Sequence, residues 1–215
     1  MFNKIDMSEY ERAEHYKYYR EIIKTKCNLT VNIDITYFLH VLKKNNLKFY
    51  QSFVYVIMKA VNDLPQFKMA LDGDKNLGFY DYCNPSYTVF HKDDCTFSDL
   101  WTQWSDDFFT FYKAMSDDME KYRFVKGVKG KPDKPENFIP VSNLPWISFA
   151  SCSYDTYCES DMLFPVIVFG KYFEDNGKTL LPFTVFINHA AADGYHICTL
   201  INKIEKNCND FERFI

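Results

Sequence analysis

At 215 residues and a net charge of −4, the chain fits one domain of moderate size and offers no global basic field for nucleic acid. The longest strongly apolar stretch, Phe53 to Met58, is too short to span a bilayer, and no apolar run of signal-peptide length follows Met1, so a cytoplasmic protein is expected. Seven scattered cysteines (Cys27, Cys83, Cys95, Cys152, Cys158, Cys198 and Cys208), odd in number and without a C-x-x-C, speak against a disulfide framework or a zinc site and fit reduced thiols.

In chain order, Ser8 to Lys24 reads as a helix, with Ser8 as cap and Glu11 three residues on. Asn28 to Thr36 alternates, with Leu29, Val31, Ile33 and Ile35 on one face, and reads as a strand. Thr36 to Lys44 is a short helix capped by Thr36, and Tyr50 to Leu64 a second helix ended by Pro65. Phe67 to Ala70, Leu77 to Tyr80 and Ser86 to His91 look like short strands, with a turn at Asp72-Gly73-Asp74. Ser98 to Tyr122 reads as one long helix, because Trp101, Trp104, Phe108, Phe111 and Tyr112 recur at roughly helical spacing. A loop follows with Lys126, Lys129, Lys131 and Lys134 among Gly and Pro. It reads as solvated, with help in attracting an anionic cofactor as the alternative. Three strands come next, Trp146 to Tyr154, Phe164 to Phe173 and Thr179 to Ile187, with Asn176-Gly177 as the hairpin turn between the last two. A helix from Asp193 to Lys206 closes the pattern. No repeat or linker is visible, so one α+β domain over residues 1–215 is expected.

The segment from Asn188 to His196 carries the chemistry. His189 ends a buried strand, Asp193 follows four residues later, and Gly194 is read as allowing a tight strand-to-helix turn. Histidine titrates near neutrality, with an unperturbed pKa of about 6.5, so it can take and return a proton at working pH. Asp193 can cap the helix or pair with a cation. Taken alone, such a short motif is more often structural than catalytic. Aromatic residues make up 19% of the chain, and pocket lining and core packing are both open to them.

The H-x-x-x-D-G-Y-H spacing resembles the chloramphenicol acetyltransferase family and, more distantly, the dihydrolipoyl acyltransferases. Further matching segments lie in the same order: Arg12-Ala13-Glu14-His15-Tyr16, Ile33-Asp34-Ile35-Thr36, Lys48-Phe49-Tyr50, Tyr87-Thr88-Val89-Phe90-His91, Thr96-Phe97-Ser98, Pro135-Glu136-Asn137, Val141-Ser142-Asn143-Leu144-Pro145-Trp146 and Gly170-Lys171-Tyr172. The resemblance implies a mixed β-sheet covered by helices in a two-layer sandwich, assembled as a homotrimer with sites between subunits. It implies acetyl-CoA as co-substrate, no metal, and a hydroxyl of chloramphenicol as acceptor. On the same ground His189 is the general base and Ser142 the oxyanion donor. Arg12 and Asp193 are a structural pair holding the histidine loop. Trp146 and Tyr172 contact coenzyme A, and Tyr19 and Phe97 line the acceptor pocket. Ordinary packing is the alternative for each aromatic residue. His196 matches a family histidine but receives no catalytic role, and His15, His40 and His91 are read as structural.

Several positions depart from the resemblance. Asn188 replaces a histidine, and Ala191-Ala192 replace Val-Cys. Val168 stands where a threonine is common, Cys27 where a phenylalanine is common, and the run from Ala150 to Asp155 differs on the acceptor side, including Cys152 and Tyr154. These changes leave open a different hydroxyl acceptor, or a homologue that binds ligand without turnover.

Overall fold

The computed structural model describes residues 1–154 and 161–215. In the main sheet β2 (Lys26–Asp34), β10 (Lys178–Asn188), β8 (Val166–Gly170), β7 (Phe138–Leu144), β5 (Asn84–His91) and β6 (Thr96–Trp101) lie side by side in that order. The short β9 (Phe173–Asp175) pairs with the start of β10 through the Asn176-Gly177 turn. Both turn residues have positive φ, 48° and 77°, as a tight two-residue hairpin requires. β7 runs parallel to β5 and β8 while the other pairs are antiparallel, so the sheet is mixed. A second, three-stranded sheet joins β1 (Phe2–Lys4), β4 (Leu77–Tyr80) and β3 (Met69–Leu71).

Period-two patterning divides the main sheet into two faces. Leu29, Val31 and Ile33 of β2, Leu181, Phe183 and Val185 of β10, Ile167 and Phe169 of β8, Val141 of β7 and Tyr87 of β5 belong to one apolar core. The helices α2 (Thr36–Lys44), α3 (Phe49–Asn62), α4 (Phe108–Lys121) and α5 (Gly194–Asn209) complete it. Ten of the fourteen residues of α3 are buried, which is why its sequence is apolar almost all round. Its Phe53 packs edge-on against Phe169 of β8, ring centroids 5.0 Å apart. The other parity carries a row across four strands. Thr30 pairs with Thr184, Thr184 with Val168, and Val168 with Ser142. Val168 and Phe186 on this side are buried yet stand outside the main core.

Several segments differ from the sequence reading: Phe67 and Lys68 lie in a 3-10 turn before β3, and residues 164–173 hold β8 and the start of β9 with Lys171 and Tyr172 between them. Ser8 caps nothing: its amide and hydroxyl both donate to Asp6 Oδ1, at 2.9 and 2.7 Å, an Asx turn that competes with helix. The helix begins only at Ala13 (α1, Ala13–Lys17) and widens into a π-helical turn over Tyr18–Ile23, closed by Lys24 at φ 51°. Residues 98–122 are not one helix. Ser98 and Leu100 are buried on β6, which pairs with β5, and α4 starts at Phe108 with Asp107 accepting from the Thr110 amide. Residues 146–154 form no strand, while residues 138–144, read as loop, form the central parallel strand β7. Thr36 is not a cap either: Asp34 Oδ1 accepts from its amide and hydroxyl.

Candidate active site

The turn after β10 packs inward. Ala190, Ala191 and Ala192 are fully buried, so only small side chains fit there. The His189 amide donates to the Thr25 carbonyl at 3.1 Å, tying the turn to the chain entering β2. Asp193 caps α5, accepting from the amides of Tyr195 and His196. Gly194 is not in the left-handed region and a Cβ there would meet nothing within 4 Å, so the turn does not depend on glycine.

Arg12 Nη1 donates to Asp193 Oδ2 at 2.6 Å, with only 18% and 30% of the two side chains exposed. Arg12 Nε and Nη2 are buried with no partner among the described residues, so Asp193 is the anion this guanidinium relies on. Burial works against the Asp193 charge, but the hydrogen bonds and charges of Arg12 and His196 outweigh it and hold the carboxyl down to about 2.

The π-helical turn places Tyr19 flat on His189, ring centroids 3.6 Å apart and planes within 10°. His189 Nδ1 is buried without a hydrogen-bond partner among the described residues. A base at Nε2 needs its lone pair free and the proton on Nδ1. Cys27 pairs with Ile187 two residues before His189. Burial raises its thiol pKa and the Asp193 charge raises it further, so it is no thiolate nucleophile. Tyr154 lies against Phe186, centroids 5.2 Å apart, three residues from His189 in sequence.

A second cluster sits at the other end of the sheet. Gly170 ends β8, and a Cβ there would lie 2.9 Å from both Ile147 O and a Phe149 ring carbon. Glycine therefore lets the segment after β7 cross over β8, where Lys171 N donates to Ile147 O and Ser148 Oγ to Lys171 O. This crossing presents Trp146 and Tyr172, 62% and 45% exposed. Trp146 packs edge-on against Phe90, which pairs in register with Phe97. Ser142 lies on β7 beside Val168.

Register separates these clusters within one chain. Ser142 is level with Thr184, five residues before His189 and two strands away. That is about 17 Å along the strands and about 10 Å across them. His189, Tyr19, Arg12 and Asp193 come together; Ser142 stands in mid-sheet, Trp146 and Phe97 each meet Phe90 towards the far end, and Tyr172 packs against Phe49 of α3.

A model of the family described as chloramphenicol acetyltransferase matches residues 1–205. A chloramphenicol acetyltransferase of Clostridium butyricum is 35% identical over 214 residues, covering all of this chain and 98% of the relative. One from Clostridium perfringens is 36% identical with the same coverage. The chain belongs to the chloramphenicol acetyltransferase family. A solved chloramphenicol acetyltransferase superposes with a TM-score of 0.85 at 22% identity, covering 96% of this chain and 99% of its own. A probable dihydrolipoamide acetyltransferase from Listeria monocytogenes follows the same fold, with a TM-score of 0.64 at 15% identity over 97% of this chain and 94% of its own. As a member of this family the chain is an acyltransferase with the single mixed-sheet α+β domain expected.

Within this family member, the lysine loop divides. Lys126 pairs with Asp93 and Asp94, Lys131 with Asp118, and Lys134 with Asp99, so these three cations are bound to the protein's own carboxylates. Cys158 and Asp155 lie outside the described residues. His91 is buried against Ser98 Oγ at 2.7 Å, while His15 and His40 are exposed. Three contributions were not legible in the sequence: the crossing at Gly170, the Phe90–Trp146 pair, and the contact of His196 with Asp193. No helix of the described residues is long and apolar enough to cross a membrane.

Proposed function

We propose that this protein is a cytoplasmic, acetyl-CoA-dependent O-acetyltransferase that acetylates a hydroxyl of chloramphenicol. The observation that carries the reading is His189 itself. Its ring is clamped under Tyr19 and its turn is braced by Arg12 and Asp193, all within a full-length family match.

In this reading His189 Nε2 takes the proton of the acceptor hydroxyl as that oxygen attacks the thioester carbonyl. The Ser142 hydroxyl donates to the oxyanion that forms. The C–S bond then breaks, and the proton on His189 passes to the departing thiolate, which leaves as the free thiol of coenzyme A. No acyl-enzyme step is needed. Trp146 and Tyr172 hold coenzyme A, and Tyr19 and Phe97 line the acceptor pocket.

The separation of Ser142 from His189 supports a symmetric assembly, a homotrimer, in which the base of one copy meets the serine cluster of the next. A ring of head-to-tail contacts closes in this way. The exposed Phe90, Phe97, Trp146 and Tyr172 then become buried at the junction.

Release of free thiol from acetyl-CoA, with and without chloramphenicol, tests the reading. Chloramphenicol-dependent release is the expected result. Absence of release from a folded oligomer overturns it. Val168, Cys27 and the Tyr154–Phe186 pair favour one second reading, a different hydroxyl acceptor on the same machinery. A thermal shift with coenzyme A but not with chloramphenicol would mark it, and shifts with both but no turnover would mark a binding homologue.

A further inference from the structure

His196 lies in the first turn of α5 with 15% of its side chain exposed. Its Nδ1 is 2.8 Å from Asp193 Oδ1 and 3.3 Å from the Asp193 amide nitrogen. One ring nitrogen cannot satisfy both. Accepting from the amide needs a bare lone pair, whereas meeting the carboxylate needs a hydrogen. Asp193 is anionic, with its carboxyl held down to about 2. Two lone pairs at the shorter distance would repel, so the carboxylate decides the tautomer and Nδ1 carries a proton.

The two carboxylate oxygens are then held from two directions. Arg12 reaches Oδ2 from the N-terminal segment, and His196 reaches Oδ1 from α5. The Tyr195 amide, at 3.1 Å, also donates to Oδ1. Arg12 makes a one-point contact through Nη1 at Oδ2, and the His196 ring adds a side-chain donor at Oδ1 to the backbone amides of Tyr195 and His196. Asp193 is joined to His189 only through three fully buried alanines, a link with no space to absorb a rotation. We infer that His196 is a positioning residue: by donating from Nδ1 to Asp193 it fixes the turn that aims His189. This deepens the acetyltransferase reading and rests on it.

The test compares His196→Ala and His196→Asn in the full-length protein. An asparagine amide nitrogen takes the place of Nδ1 and keeps the donor. Histidine-labelled protein is examined by NMR, and thiol release from acetyl-CoA is measured with chloramphenicol as acceptor. The expected NMR result is a proton on His196 Nδ1 in the wild type, with the His189 ring signals displaced in His196→Ala and kept in His196→Asn. The expected kinetic result is kcat lower by about tenfold or more in His196→Ala, an unchanged KM for acetyl-CoA, and near-wild-type kcat in His196→Asn. A cap that only stabilises α5 would lower the melting temperature without moving either readout.

A bare His196 Nδ1, unmoved His189 signals in His196→Ala, or an asparagine variant as impaired as the alanine one would overturn the inference. If the wild type does not acetylate chloramphenicol, the functional reading fails, and the NMR comparison still decides the role of His196.

Discussion

Ser142 and His189 face different neighbourhoods of one sheet: Ser142 stands beside Val168 in mid-sheet, and His189 lies five residues past the Thr184 that pairs with Val168. A base and an oxyanion donor must both come within about 3 Å of one reacting group. Neither hinge nor rotamer change can close such a gap in a packed sheet. The acetyl-transfer reading therefore requires two copies at each site.

Removing either member should show this cost directly. Ser142→Ala should lower kcat by about 10²–10³, with little change in the KM for acetyl-CoA, measured by steady-state thiol release. A variant with wild-type kcat would remove Ser142 from the mechanism.

The Arg12–Asp193 pair makes a stability prediction. Asp193→Ala leaves the Arg12 guanidinium buried without its partner, which should cost about 3 kcal/mol in urea unfolding. Changing both, as Arg12→Met with Asp193→Leu, should recover part of that loss. A double variant no better than Asp193→Ala would show that the pair does not act as a unit.

The same carboxylate sets a pH dependence. Its folded pKa is about 2, below its ordinary 3.8. A depressed folded pKa contributes stability that is fully present above the unfolded value and is lost as pH falls through the folded one. The contribution, about 2 kcal/mol, should therefore disappear between about pH 4 and pH 2. Unfolding curves of Asp193→Asn should lack this part of the acid limb.

Val168 is fully buried between Ser142 and Thr184, and the Thr184 hydroxyl already bonds to Thr30 Oγ1 at 2.8 Å. Val168→Thr places a hydroxyl beside Ser142, with its cross-strand partner Thr184 alongside. The expected outcome is kcat higher by about tenfold with the melting temperature little changed. An unchanged kcat would mean that this position does not touch the reacting group.

Much of the fold was legible because one signal dominated locally. Alternation of Leu29, Val31 and Ile33 marked β2, and the near-complete burial of α3 was written in its apolar run. The failures have physical causes. Trp101 and Trp104 fell at helical spacing, but Ser98 and Leu100 obey period two and pairing with β5 decides the strand. The run from Trp146 to Phe149 has strand-forming residues, yet it crosses over Gly170 instead of joining the sheet edge. Ser8 looked like a cap until Asp6 took its amide and hydroxyl. In the site, His189 and Asp193 stand out from the strand-end motif and Arg12 from the family resemblance, and the 2.6 Å contact brings the last two together. The role of His196 was invisible, because a helix N3 position gives no hint of which way an imidazole turns.

Complementation between inactive variants decides whether each site is built from two copies of the chain. His189→Ala and Ser142→Ala chains are unfolded together, refolded as a mixture, and assayed for chloramphenicol-dependent thiol release. If each site joins the base of one copy to the serine of another, random mixing restores about a quarter of wild-type activity. If both residues of a site belonged to one chain, no mixed oligomer would contain an intact site, and activity no higher than that of the separate variants would contradict the account.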